Sequence, residues 1–161
     1  MAKVKNEFPE SELVRRTFMI REMDLPPQVQ LTRRSMLRWF ALASGMISEK
    51  ESRSTVLEVL DALFYFQFQK KQDPTAQEVI KYIKEKHGKI VSEKLLRYHL
   101  NRLILLNLLQ RKSSRYFFNP SPYAERKDLK ASFNYWIREH LEKSLKDCEF
   151  VLGKLQDNYS K

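Results

Sequence analysis

The segment 92–109, SEKLLRYHLNRLILLNLL, constrains the fold more than any other part of this chain. Four of its leucines recur at intervals of four, three and three residues, which is the spacing of one face of an α-helix: Leu96, Leu100, Leu103 and Leu106. The opposite face is polar and carries Lys94, Arg97 and Asn101, while Ser92 is placed to cap the first turn. The segment therefore predicts a helix whose inner face enters a core and whose outer face is open to solvent or to a partner.

Apolar residues at helical spacing predict further helices on the N-terminal side of this segment. The first covers residues 33–44, and Ser48 with Glu51 forms an S-x-x-E capping box ahead of a second helix, ESRSTVLEVLDALFYFQFQKK. Thr75 caps a third helix that ends at Gly88. Because only three glycines occur in 161 residues, the chain lacks the many tight turns of an all-β protein, and we expect helix to dominate.

After Leu109 the apolar period changes from helical to alternating. The run QRKSSRYFFNP places the polar pair Ser113 and Ser114 between apolar residues, which predicts a short β-hairpin. Two prolines then interrupt the chain, and a final helix is predicted over about 124–158. The predicted order is four helices, a hairpin and a long helix.

The net charge of +10 is concentrated in one segment of the chain. Residues 81–115 hold ten Lys and Arg against two Glu, whereas residues 1–80 hold 12 against 11 and residues 116–161 hold eight against seven. A segment of one sign creates a local potential that attracts polyanions and steers their approach. Since this segment contains the half-polar helix and the hairpin, it predicts an anionic partner for them.

The run VSEKLLRYHLNRLILLNLLQRKSSRYFF resembles the recognition helix and wing of winged helix-turn-helix proteins. There, a capped helix with spaced leucines precedes a small turn residue, two apolar residues and a basic hairpin. Asn107 stands at the turn, where glycine is usual, and asparagine also tolerates the left-handed conformation. The preceding TAQEVIKYIKEKHG resembles the first helix of the motif. The resemblance covers about residues 52–120 and implies a mainly α fold with a small β-hairpin wing and extra N- and C-terminal helices.

The resemblance implies sequence-specific binding of double-stranded DNA by a transcriptional regulator. In that family the recognition helix, here 92–106, enters the major groove, and the wing, here 110–118, contacts the backbone. An arginine suits guanine and an asparagine suits adenine. The residues thereby assigned to DNA are Lys94, Arg97, Tyr98, Asn101, Arg102, Arg111, Lys112 and Arg115. Plainer interpretations stay open, in which Arg97 and Arg102 lie over the apolar stripe of their own helix and Tyr98 packs on the wing.

The C-terminal segment carries a second apolar stripe. Its members follow at spacings of 4, 4, 3, 4 and 3, which approximate a heptad seam: Ile137, Leu141, Leu145, Cys148, Leu152 and Leu155. Such a helix either lies on its own domain or pairs two copies, as the dimerisation helices of winged-helix repressors do, and we expect a homodimer. The chain then divides into an N-terminal arm and short helix (1–50), a winged-helix domain (51–120) and a dimerisation helix (121–161).

The sequence disfavours several other classes of protein. It has a lone cysteine, no His/Cys cluster with zinc-ligand spacing, and neither a G-x-x-x-x-G-K-[ST] nor a G-x-G-x-x-G run. We therefore expect no enzyme, no catalytic residue, no metal and no cofactor. No stretch approaches the roughly 20 apolar residues of a membrane span, which predicts a soluble, cytoplasmic protein without a membrane partner.

A second function stays open, in which the winged helix contacts a protein within a transcription or replication assembly and its basic segment meets an acidic partner. Three residues discriminate, because Leu95, Ile104 and Leu105 fit the core stripe poorly. We expect the 33–44 helix, with Trp39, to cover them; if exposed, they favour the protein partner. RNA binding is a lesser alternative, in which aromatic residues of the helix and wing stack on bases.

Overall fold

The computed structural model describes residues 10–51, 55–126 and 128–161, which are mainly helical with one two-stranded antiparallel hairpin. The helices are α1 (Arg33–Ala43), α2 (Thr55–Phe64), α3 (Ala76–His87), α4 (Glu93–Leu105), α5 (Leu129–Phe133) and α6 (Glu139–Tyr159), and the strands are β1 (Leu109–Lys112) and β2 (Arg115–Phe118). Two π-helical segments extend α2 and α5, namely Tyr65–Lys70 and Asn134–Arg138, and two 3-10 turns precede α1, Glu10–Leu13 and Pro27–Leu31. The predicted mainly α composition with a small hairpin is confirmed.

Helix α2 lies at the centre of the core because it is apolar on nearly every side. Helices α1, α3 and α4 pack around it. Its buried carboxylate, Glu58, is paired from two sides: Arg34 Nη1 of α1 lies 3.2 Å from Oε1, and Lys89 Nζ lies 3.7 Å from Oε2. These ion pairs offset the cost of burying the charge and hold α1 and the segment before α4 against α2.

Side-chain caps set the limits of α3 and α4 where the sequence predicts them. Thr75 and Glu78 form a capping box, in which each side chain accepts a hydrogen bond from the other's backbone N–H. Gly88 ends α3 in the left-handed conformation, with φ 64°. Ser92 Oγ then accepts from the N–H of Leu95 at 3.1 Å, which starts α4. The two helices are therefore joined by a short connection whose geometry is local.

The contact expected of the predicted capping box ahead of α2 is present. Glu51 Oε1 accepts from the N–H of Ser48 at 3.3 Å, and residues 49 and 50 between them form a turn. The described part of the helix begins at Thr55, and the predicted helical residues 52–54 lie outside the described chain.

The hairpin forms at the predicted place. Asn107 ends α4 with φ 57°, in the left-handed conformation that its position requires. At the tip, Ser113 and Ser114 have φ values of 51° and 63°, and Lys112 pairs with Arg115. Two left-handed residues between paired strands form the tight turn whose twist matches that of a hairpin. The strands therefore leave α4 at once and return to the core at the end of β2.

The C-terminal helix begins later than the sequence predicts. Asp128 Oδ1 accepts from the N–H of Ala131 at 3.0 Å and caps α5, which starts at Leu129 instead of near Ala124. The prolines before it favour extended backbone and delay the helix. The indole N–H of Trp136 donates to the carbonyl of a preceding proline at 3.0 Å, which fixes the first part of this helix on the body of the protein.

The second part of the C-terminal helix leaves the body of the protein. None of the 21 residues of α6 is buried, whereas Ile137, just before it, is part of the core. The residues of the predicted heptad seam therefore lie in two different environments. Ile137 packs within its own domain, while Leu145, Leu152 and Leu155 stay exposed. Across the described ranges, no helix, α6 included, is both long enough and apolar enough to cross a membrane.

Candidate nucleic-acid interface

Helix α4 has the two faces that its sequence predicts. Leu96, Leu100 and Leu103 are fully buried on the inner side. On the outer side Lys94 and Asn101 are exposed, and neither makes a hydrogen bond or ion pair within the part of the chain that the structure describes. Both side chains can therefore bind a ligand without giving up an internal contact.

Arg97 lies on the same outer face but is engaged with an acid. Its Nε and Nη2 atoms lie 2.9 Å and 2.6 Å from Glu93 Oε1. The hydrogen bonds to Glu93, and then its negative charge, raise the pKa of Arg97. An exposed pair one helical turn apart contributes little stability, so Arg97 can exchange Glu93 for another acceptor. Glu93 also accepts from Gln77 Nε2 at 3.3 Å, which gives it a second partner when Arg97 turns away.

Arg102, although assigned to DNA by the sequence, is bound inside the protein. Its guanidinium donates to the carbonyls of Met46 at 3.0 Å and Gly45 at 3.1 Å. These carbonyls follow the end of α1, where backbone acceptors lack helical partners. Arg102 therefore fastens α4 to the turn after α1. The exposed Tyr98 ring lies 5.7 Å from this guanidinium and edge-on to His99, so it packs along its own helix.

The three cations of the hairpin, Arg111, Lys112 and Arg115, also differ in whether they have a partner within the protein. Arg115 Nη1 donates to the backbone carbonyl of Asp73 at 2.7 Å and lies 3.7 Å from Glu78 Oε2. The neighbouring N–H of Tyr116 donates to the carbonyl of Pro74 at 2.9 Å. Strand β2 is thus tied to the segment that enters α3. Arg115 is a positioning residue for the hairpin rather than an unengaged cation at its tip.

Arg111 and Lys112 are exposed, as Arg115 is, but neither has an acidic or backbone partner among the described residues. The Arg111 guanidinium lies 5.7 Å from the centre of the Tyr116 ring, which is itself buried. Lys112 has no hydrogen bond or ion pair among the described residues. Because the Tyr116 ring is covered by the core, it cannot stack on a base, which removes one of the aromatic platforms that the RNA alternative needs.

Five cations of segment 81–115 have no acidic or backbone partner in the described chain. The other cations of the segment have partners within the chain; among them, Lys81 lies 3.9 Å from Glu85 and Lys89 is paired with Glu58. The five are Lys84, Lys86, Lys94, Arg111 and Lys112. They belong to the end of α3, the start of α4 and the hairpin, so each of these three elements carries positive charge that can attract a polyanion.

The expectation that α1 covers the remaining apolar residues of α4 is wrong for two of them. Leu95 is 40% exposed and Leu105 is 71% exposed, whereas Ile104 packs partly against the core. Trp39 of α1 instead donates its indole N–H to the carbonyl of Asp24 at 2.8 Å. Because Leu95 directly precedes the core-facing Leu96, it is turned about 100° away from that residue around the helix axis and lies at the edge of the buried stripe.

His99 is a buried polar residue on the inner edge of α4, with 7% of its surface exposed. Its Nδ1 atom finds no hydrogen-bond partner among the described residues. Burial lowers the pKa of His99, the positive charges of Arg102 and Lys89 lower it further, and Glu51 opposes them. The folded protein therefore favours the neutral imidazole.

Stability is expected to fall with acid because of His99. The unfolded chain binds the proton at its ordinary pKa of about 6.5, so the stabilisation is complete above that pH and is lost as the pH falls towards the lowered folded value. Urea unfolding between pH 7.5 and 5 is expected to show this loss, at up to about 1.4 kcal/mol per pH unit. His99→Leu should reduce this dependence of the free energy of unfolding on pH. The same pH dependence in His99→Leu and in the native protein would contradict the assignment.

An apolar groove that the sequence does not predict lies where α5 meets the core. Its volume is about 720 Å³. Buried Leu60, Leu103 and Phe118 line one side, and Phe133 and Asn134 of the C-terminal helix line the other. These residues come from separate segments of the chain, so no local spacing in the sequence announces the groove.

Comparisons with models of protein families, with curated proteins and with solved structures found no match to this chain. Function is therefore argued from the arrangement of side chains. Among the residues that the structure describes, no group of three or more His, Cys, Asp or Glu side chains is placed to hold a metal ion.

Proposed function

We propose that this protein is a winged-helix transcriptional regulator that binds double-stranded DNA in a sequence-specific manner. Helix α4 lies in the major groove as the recognition helix, and the hairpin lies on the backbone as the wing. The observation that supports this proposal best is that α4 has a buried apolar side and an exposed polar side. Leu96, Leu100 and Leu103 are buried on one side of the helix, while its outer face leaves Lys94 and Asn101 without an internal partner among the described residues.

Binding has an electrostatic part and a base-reading part. The unpaired cations of α3, α4 and the hairpin neutralise phosphates and orient the domain without reading sequence. Asn101 offers the paired donor and acceptor that adenine requires, and Arg97 reaches guanine when it exchanges Glu93 for the base. Arg102 and Arg115 act indirectly, since they hold α4 and the hairpin in place.

The regulator functions as a homodimer through its C-terminal helix. The exposed seam of α6 supports this part of the proposal. A two-fold dimer presents two copies of α4, so the preferred site consists of two half-sites about one turn of DNA apart, roughly 34–36 Å.

The salt dependence of binding to duplex DNA tests the proposal. Fluorescence anisotropy with a pool of random duplexes is expected to give a log–log slope of affinity against salt of about −0.9 per phosphate neutralised. Three to five of the unpaired cations in contact then give a slope of roughly −2.7 to −4.5 per protomer. Selection from the same pool is expected to enrich a two-part site. Absence of binding at low salt would contradict the proposal.

A second function, contact with an acidic protein, is favoured by the apolar residues beside the basic face. Leu95, Leu105 and Ile90 are exposed there. Burying such residues stabilises a protein–protein interface, whereas binding to a phosphate backbone depends mainly on positive charge. This alternative predicts weak binding to DNA with no enriched sequence and a partner whose affinity falls on changing Leu105 to serine.

A further inference from the structure

Helix α6 exposes an apolar stripe that has no partner in the described chain. Its members recur at intervals of three and four residues, which is the pattern of a helix that packs on another surface: Leu145, Cys148, Leu152, Leu155 and Tyr159. Contiguous exposed apolar patches are uncommon on isolated soluble proteins and mark contact sites. The stripe therefore needs a surface to cover it.

The apolar groove beside α5 is the second uncovered surface, and one continuous helix contributes to both. The chain is helical without a break from Leu129 to Tyr159, so the helix that lines the groove is the same helix whose extension carries the stripe. In a two-fold dimer both copies use the same surface. A two-fold axis perpendicular to this helix therefore places the stripe of each copy on the groove of the other.

We propose that two copies of the chain pair antiparallel, with the second half of each α6 seated in the groove of the other copy. This inference rests on the proposed homodimer and adds where each helix binds. A pairing that places Leu145 opposite the partner's Leu141 also places Leu152 opposite the partner's Asn134 and Leu155 opposite the partner's Ala131. Asn134 and Ala131 both line the groove.

The surface area buried between the copies distinguishes the helix-in-groove dimer from a dimer in which two α6 helices simply pair. The 21 residues of α6 span about 32 Å, and an apolar side about 10 Å wide presents roughly 300 Å². Two such sides facing each other bury roughly 600 Å², which is less than the roughly 1,000 Å² of a stable interface. In the proposed arrangement the second half of each α6, about 16 Å long, buries in addition roughly 160 Å² of its own surface and as much of the core side of the groove. The two copies together add roughly 600 Å² to the helix pair, and the total of roughly 1,200 Å² reaches that range.

The mass in solution tests the interface, and α6 offers a matched control. Leu152 is 65% exposed and lies on the stripe, whereas Phe150 is 66% exposed and lies on the opposite side of the helix. The native chain and Phe150→Glu are expected to sediment as dimers, at twice the monomer mass of 19.3 kDa, and Leu152→Glu as a monomer with unchanged helix content. A monomeric native chain at tens of micromolar, or equal effects of both variants, would overturn the inference.

Disulfide cross-linking tests the register of the pairing. In the proposed register the two copies of Cys148 are offset by ten residues, about 15 Å, which is beyond the reach of a disulfide. Arg138 lies opposite the partner's Cys148, so mild oxidation of Arg138→Cys is expected to give covalent dimers. The native chain and Lys146→Cys, on the outer side of α6, are expected to give none. Covalent dimers of the native chain would place the helices in another register and overturn the inference.

Measuring DNA binding of Leu152→Glu separates this inference from the proposed function. The monomeric variant keeps the unpaired cations and is expected to bind random duplex DNA with the same salt slope per protomer. If dimers form as proposed but no DNA binds, the DNA function fails alone. If DNA binds but Leu152→Glu remains a dimer, the helix-in-groove arrangement fails alone.

Discussion

Replacing Lys94, Arg111 and Lys112 together with alanine is expected to reduce the salt dependence of DNA binding by about 2.7 in log–log slope per protomer, because three phosphate contacts are lost. Raising the salt from 50 to 200 mM then weakens the variant about 40-fold less than the native protein. None of these cations has an acidic partner in the described chain, so their removal leaves no internal charge unpaired. The measurement is anisotropy with random duplex DNA across the salt series.

A variant with the same change in net charge provides the control. Lys143, Lys146 and Lys154 lie on α6, away from α4 and the hairpin. Their replacement with alanine is expected to leave the slope nearly unchanged. If both triple variants shift the slope equally, DNA responds to net charge alone, and the assignment of α4 and the hairpin as the interface is wrong.

Leu100→Ala is expected to lower the free energy of unfolding by about 2–5 kcal/mol, since the side chain is completely buried and its loss leaves a cavity. The position lies on the inner face of α4, between the other two buried leucines of that helix. Urea unfolding followed by circular dichroism measures the change. The effect is large because protein cores are close-packed and relax only partially around a missing side chain.

Leu105→Ala is the matched comparison on the same helix. With 71% of its surface exposed, Leu105 is expected to change the free energy of unfolding by less than about 0.5 kcal/mol. A similar loss for both variants would mean that the outer face of α4 is packed in solution against another molecule, such as a second copy of the chain. That face would then be a protein–protein contact rather than the proposed DNA interface.

The local elements of the fold were predictable because each depends on residues within one or two helical turns. Ser92 starts α4, Asn107 ends it in the left-handed conformation, and Ser113 with Ser114 forms the hairpin tip, as the sequence predicts. The start of the last helix was misplaced because the alternative cap, Asp128, stands only four residues after Ala124 and both positions fit the apolar period.

The candidate site was predictable as a list of residue types but not as a set of available side chains. Lys94, Asn101, Arg111 and Lys112 are exposed, as the spacing on α4 and the hairpin indicates. Arg102 and Arg115 have the same character in the sequence, yet their partners lie 56 and 42 residues away along the chain. No spacing rule reaches across such distances, so only packing assigns these two arginines to structural roles.

The sequence by itself determined where α1, α3 and α4 lie, the caps of α3 and α4, the hairpin and the concentration of positive charge in residues 81–115, because helical period, capping and composition are local properties. The tertiary structure decided which cations remain unpaired, which leucines of α4 stay exposed, and that an apolar groove adjoins an uncovered helix. Those features arise where segments distant in the chain meet, and contact between such segments depends on how the helices pack around α2 rather than on any one stretch of residues.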